Sequence, residues 1–139
     1  MSYLLDTNLV SELRKRPGRI DANVAAWGAT QEADQHFLSA VTVFEVELGI
    51  LRVERQDVLQ GKMLRRWFDA GVLGAFANRT LAVDREVARR AAALHIPDPR
   101  PERDAYIAAT ALVHGLTVAT RNVSDFEPMG VTVINPWIA

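Results

Sequence analysis

Five short apolar runs, separated from one another by longer stretches of helical spacing, constrain this 139-residue chain more than any other feature. They fall near residues 2 to 5, 36 to 41, 80 to 83, 116 to 119 and 131 to 134. Helical patterns lie near 7 to 16, 21 to 31, 42 to 54, 57 to 72, 84 to 95 and 102 to 114. Parallel strands need a crossover between them, and a helix supplies it, so this alternation reads as βαβ units. The expectation is a three-layer α/β fold, a central parallel β-sheet flanked by helices. Pro17 and Gly18 stop the first helix, Gly115 caps the last, and "IPDPRP" at 96 to 101 is a proline-stiffened connection.

The length suits a single domain over residues 1–139. With 49% hydrophobic and 24% charged residues the chain reads as globular, neither disordered nor fibrous. It has no cysteine, which excludes a disulfide framework and thiolate metal sites and suits a reducing compartment. No apolar run approaches a membrane span and "MSYLLDTN" lacks a basic leader, so the expected location is the cytoplasm, with no membrane partner. The net charge of −1 speaks against bulk nucleic-acid binding, so any such contact must be local. Of 16 basic residues only Lys15 and Lys62 are lysines. Arginine suits bidentate phosphate contact, though genomic codon bias explains the excess equally well.

In an open parallel sheet, ligands bind beyond the carboxyl ends of the strands. The polar residues there are Asp6, Thr7 and Asn8, then Thr42 and Glu45, then Asp84, then Thr120, Asn122 and Asp125. Asp6 reads equally as a turn or N-cap residue and as a site acid. Thr42 and Glu45 match a capping box, but Glu45 shares an apolar, small face with Leu48 and Gly49. Glu47, about 200° away on the helix, shares its face with Glu54 and reads as solvated. Glu45 is therefore the acid expected to point inward. Asp84 reads as a plain N-cap, Asp125 as either a turn or a site residue, and His36, His95 and His114 as structural.

Asp104 poses the sharpest question. It heads "RDAYIAATALVHG" on the stripe of Ile107, Ala108 and Ala111, which ought to face a core. A carboxylate in a helix's first turn gains about 0.3–1 kcal/mol from the helix dipole, whereas desolvating it unpaired costs several. Something bound must recover the difference. The fold class brings Asp6, Glu45, Asp104 and Asp125 to the same sheet edge. Two carboxylates 4 Å apart repel by about 4 kcal/mol at an effective dielectric of 20, so such a cluster shares protons or binds cations. Oxygen ligands alone select Mg²⁺ or Mn²⁺, and Mg²⁺ commonly completes its shell with water and a phosphate substrate.

Four segments in this order, "LLDTNLVSELRK", "LSAVTVFEVELGI", "RDAYIAATALVHGLTVATRNVSDF" and "VINPW", make the chain resemble the PIN-domain ribonucleases, and among them the VapC and FitB-like toxins of toxin–antitoxin pairs. The resemblance implies a divalent cation held among acids matching Asp6, Glu45 and Asp104, with Asp6 and Asp104 as metal ligands. The family often has a fourth acid where this chain has Asn122, which leaves Asp125 as the remaining carboxylate, either near the metal or structural, and the resemblance implies a hydrogen-bonding role for Thr120. Thr7 and Asn8 join Thr120 and Asn122 as supporting residues. The implied activity is hydrolysis of RNA by water that the cation activates. The implied partners are a second copy of the chain and a small antitoxin whose tail covers the acids, with DNA reached only through the antitoxin. Trp67 and Phe68 read as core residues, or else as a dimer or antitoxin surface.

Two rival readings stand beside this one. Phosphatases with an aspartate nucleophile after the first strand would use Asp6, but they need an acid two residues later, where Asn8 stands, and a site lysine. A non-catalytic binding module would explain Asn122 as decay of a nuclease site.

Overall fold

The computed structural model describes residues 1 to 138, so that Ala139, within the single domain expected above, lies outside the described residues. Five parallel strands form one sheet in the order β3-β2-β1-β4-β5: β1 (Tyr3–Leu5), β2 (His36–Ser39), β3 (Thr80–Leu81), β4 (Thr117–Ala119) and β5 (Val133–Ile134). The helices are α1 (Thr7–Leu13), α2 (Ala22–Ala29), α3 (Ala40–Gln56) and α4 (Val58–Arg66), which runs through a π-helical segment (Trp67–Val72) into α5 (Leu73–Ala75). They continue as α6 (Arg85–Ala93), α7 (Glu102–His114) and α8 (Val123–Phe126). All five expected strands form, each in or near its apolar run, and they are shorter than the runs that announce them.

The strands alternate their side chains between two cores, which is why they read as continuous apolar runs. Leu4 and Val118 point to the layer of α6, α7 and α8, packing with Val87, Ile107, Ala108 and Phe126. Tyr3, Leu5 and Ala119 point to the layer of α1, α2 and the π-helical segment, packing with Leu9, Val24 and Phe68. The buried alanines at 105, 108, 109 and 111 let α7 lie close against the sheet. Gly115 ends α7 in the left-handed region at φ 67°, as its position in the sequence implies.

One expectation fails at the start of α3. The helix begins at Ala40 rather than residue 42, because the Ser39 hydroxyl accepts the Val41 N–H at 3.0 Å and caps it. Thr42 is thus inside the helix and fully buried, and the Thr42–Glu45 capping box does not form.

Candidate active site

β1 lies in the middle of the sheet, so the residues just past its end and past its neighbours β2 and β4 converge. Asp6 is the fixed point. The Asp6 N–H donates to the Ala119 carbonyl at 3.0 Å, prolonging the β1–β4 ladder by one residue. Its carboxylate accepts the Thr7 N–H on Oδ1 at 2.8 Å, capping α1, and the Thr120 hydroxyl on Oδ2 at 2.7 Å. The cap reading of Asp6 therefore holds, and the cap sits at the sheet edge with a second carboxylate oxygen facing β4. Asp6 is 5% exposed. Burial pushes its pKa up, against the bonds from Thr120 and Thr7, and the negative charges of Glu45 and Asp125 push the same way as burial.

Thr120 is buried completely and serves three partners. Its oxygen accepts from Asn8 Nδ2 at 3.3 Å and from the Asn122 N–H at 3.0 Å. Both lone pairs being engaged, its proton is left for Asp6. Asn8 also accepts the Arg121 N–H on Oδ1 at 3.5 Å, tying the start of α1 to the turn after β4.

Glu45 reaches the site from α3. Its Oε1 accepts the Thr7 hydroxyl at 2.7 Å, and Thr7 and Thr42 hydroxyls lie 3.2 Å apart. The inward orientation read from the sequence is the observed one, while Glu47 turns outward to Arg65 at 2.6 Å. Asp104, in the first turn of α7, is half-buried and has no hydrogen bond supporting its charge. Burial first, then the negative charges of Asp6, Asp125 and Glu45, raise its pKa to about 6. Asp125 stands exposed in the first turn of α8, where it contributes charge rather than contact. Asn122 is exposed and makes no side-chain cap.

Among the described residues no three acids or histidines converge tightly enough to enclose a metal ion. Mg²⁺, however, asks for only one or two protein carboxylates and keeps several waters. An unpartnered acid beside a buried one, both with raised pKa and with oxygen donors only, fits a hydrated hard cation. The same geometry does not fit an all-protein cage.

Two residues that the sequence reading passed over stand at this centre. Arg103 Nη1 lies 3.6 Å from Glu45 Oε2, and the Arg103 guanidinium sits 4.9 Å above the Phe44 ring. The available signal was their place in the chain, each immediately before an acid. The other assignments fall away from the centre. Asp84 caps α6 through the Val87 N–H at 3.0 Å. His95 Nδ1 accepts the Arg100 N–H, and His36 stacks on Trp27 with centroids 5.3 Å apart. Phe68 is core, and Trp67 lines a groove that runs from Thr7 and Glu45 along α3 past Gly49 and Val53. Lys15 pairs with Glu12 at 2.9 Å beyond the end of α1.

The chain matches the PIN domain family over residues 3–127. It is 37% identical over 142 residues to "VapC ribonuclease Y4jK" of Sinorhizobium fredii, with 96% of each chain covered. It is 38% identical over 144 residues to "Toxin FitB" of Neisseria gonorrhoeae, covering 96% of this chain and 97% of that one. The crystal structure of FitAcB from Neisseria gonorrhoeae superimposes with a TM-score of 0.89 at 35% identity, over 99% of both chains.

Proposed function

The chain belongs to the PIN domain family, and from that premise we propose that it is an Mg²⁺- or Mn²⁺-dependent endoribonuclease, the toxin of a toxin–antitoxin pair. The observation that carries this reading is Asp104. An acid whose pKa is raised to about 6, half-buried and supported by no hydrogen bond, is an electrostatic fault in the protein alone and an asset once a cation neutralises it.

Asp6 and Asp104 would hold the cation, with Glu45 at its flank. The chemistry such an ion supplies is charge neutralisation at a phosphate and a lowered pKa for water. The protein's share is positioning. Thr7 fixes two acids at once, its N–H on Asp6 and its hydroxyl on Glu45. Thr120 orients the other oxygen of Asp6, and Asn8 and Asn122 hold Thr120. The acids are thus aligned before substrate arrives, which is what a preorganised electrostatic site requires.

The partners follow the same premise. The groove bordered by Thr7, Glu45, Gly49, Val53 and Trp67 opens beside the acids, and an antitoxin segment lying in it would cover them. The protein acts in this reading as a homodimer in the cytoplasm and reaches DNA only through the antitoxin. None of its described helices is long and apolar enough to cross a membrane. The aspartate-nucleophile phosphatase finds no support, because Asn8 is engaged with Thr120 and Arg121, Lys15 is paired with Glu12, and the hydrogen-bond partners of the Asp6 carboxylate among the described residues are Thr7 and Thr120.

The test is incubation of the purified protein with structured and single-stranded RNAs in Mg²⁺, Mn²⁺ or EDTA, beside Asp104→Asn. Metal-dependent cleavage that disappears in the variant is the expected result. Cation binding with no cleavage of any RNA would favour the binding module instead.

A further inference from the structure

Three arginines lie over aromatic rings among the described residues, and only one of these pairs touches the acid centre. Arg79, over Phe76, is committed through Nε to the His36 carbonyl at 2.9 Å. Arg121 lies over Trp137, a partly buried ring near the end of the chain. Arg103 lies 4.9 Å over Phe44 and forms a long ion pair with Glu45 at 3.6 Å, beyond hydrogen-bond reach. Among the described residues its guanidinium therefore donates no hydrogen bond and has donors left for a further acceptor. Its side chain is 51% exposed and Phe44 is 53% exposed, an aromatic ring that the core does not use. Phe44 and Arg103 come from α3 and α7, two helices packed together, each carrying an acid at the next position.

We propose that Phe44 and Arg103 form a clamp for one nucleotide beside the acid centre, Phe44 stacking on the base and Arg103 contacting the phosphate. The inference rests on the ribonuclease reading. Its chemistry is that of single-strand recognition, in which aromatic faces take bases of any identity and arginine takes the backbone. A chain of net charge −1 must hold RNA through such a local device rather than through its overall field. Arg103 also offsets the negative field of Glu45 along the path by which a phosphate approaches the acids.

The probe is a fluorescein-labelled single-stranded RNA of mixed sequence, with Phe44→Leu, Phe44→Trp and Arg103→Ala compared with the wild-type chain. Loss of one stacked base predicts a KM raised roughly tenfold in Phe44→Leu with kcat little changed. Phe44→Trp restores the wild-type KM, a rescue that a merely structural role for the ring would not give. Arg103→Ala raises KM and weakens its dependence on salt. Binding of the same RNA, measured by anisotropy with each change placed in an Asp104→Asn chain, reads the clamp without cleavage. Weakened binding in Phe44→Leu upholds the clamp even if the wild-type chain cuts no RNA, in which case the ribonuclease reading alone falls. A wild-type chain that cuts RNA, with KM and binding unmoved by Phe44→Leu and Arg103→Ala, overturns the clamp and leaves the ribonuclease reading standing. Release of a bound antitoxin by Phe44→Leu with RNA kinetics unmoved overturns it as well.

Discussion

Thr120 shows how much of this site depends on one hydroxyl. It donates to Asp6 Oδ2 and accepts from Asn8 and Asn122, all within a fully buried environment. Thr120→Val keeps the shape and strands those partners, so a stability loss of about 1–3 kcal/mol is expected in denaturant unfolding, together with reduced cleavage. Asp104 makes the opposite contribution. Its carboxyl titrates near 3.8 when unfolded and near 6 when folded, so between those values the folded chain binds more protons. Stability of EDTA-treated protein therefore falls as pH rises through that window, and the penalty is complete above about pH 6. For a partly exposed group, solvent screening reduces that penalty to about 1–2 kcal/mol. The difference between the urea midpoints of wild type and Asp104→Asn, measured from pH 4 to pH 7.5, isolates this group from His36 and Glu12, whose lowered pKa values act in the opposite direction. A difference that stays flat or grows in favour of wild type would contradict the sign. The inward Glu45 was legible from its helix face, as was the anomaly at Asp104. Arg103 and Phe44 were not, because an exposed charge and an exposed ring acquire meaning only when two distant helices bring them together.

Among the elements, α3 and α4 approach one another closely at Gly61. A Cβ added at Gly61 would meet Glu54 Cα at 2.9 Å and Cγ at 2.6 Å, so the side chain cannot simply swing away. Gly61→Ala should destabilise by about 1–2 kcal/mol, the overpacking outweighing the gain in helix propensity, and thermal unfolding measures it. Arg65, bridging Glu47 and Glu54 across the same contact, would be disturbed with it. Element boundaries show where a sequence reading succeeds. α7 spans residues 102–114 as read, because an apolar stripe defines it and Gly115 stops it. The start of α3 was misread because Ser39 and Thr42 are both competent caps, and local chemistry does not choose between them. The π-helical turns at 67–72 left no sequence signal, since an extra residue per turn still places Phe68 and Val72 in the core.

At the scale of the whole molecule, strand order converts scattered acids into a site. The α/β class follows from the alternation of runs, but the order β3-β2-β1-β4-β5 does not, and it is this order that sets Asp6 between α3 and the turn after β4. Long-range pairing of short strands is chosen by packing on both faces, which no local pattern encodes. At the acidic edge of the molecule that results, a half-buried carboxylate, Asp104, stands near the buried Asp6 with no hydrogen bond to support it. On the metal-dependent reading proposed above, this edge is tolerated for the sake of a cation. Thermal unfolding of the wild-type chain and Asp104→Asn, each in EDTA and in Mn²⁺ at pH 7.5, tests that claim most directly. The expected result is that Asp104→Asn melts higher than wild type in EDTA, and that Mn²⁺ raises the wild-type Tm while leaving the variant unmoved. A variant that melts lower in EDTA, or a wild-type chain indifferent to Mn²⁺, would contradict it.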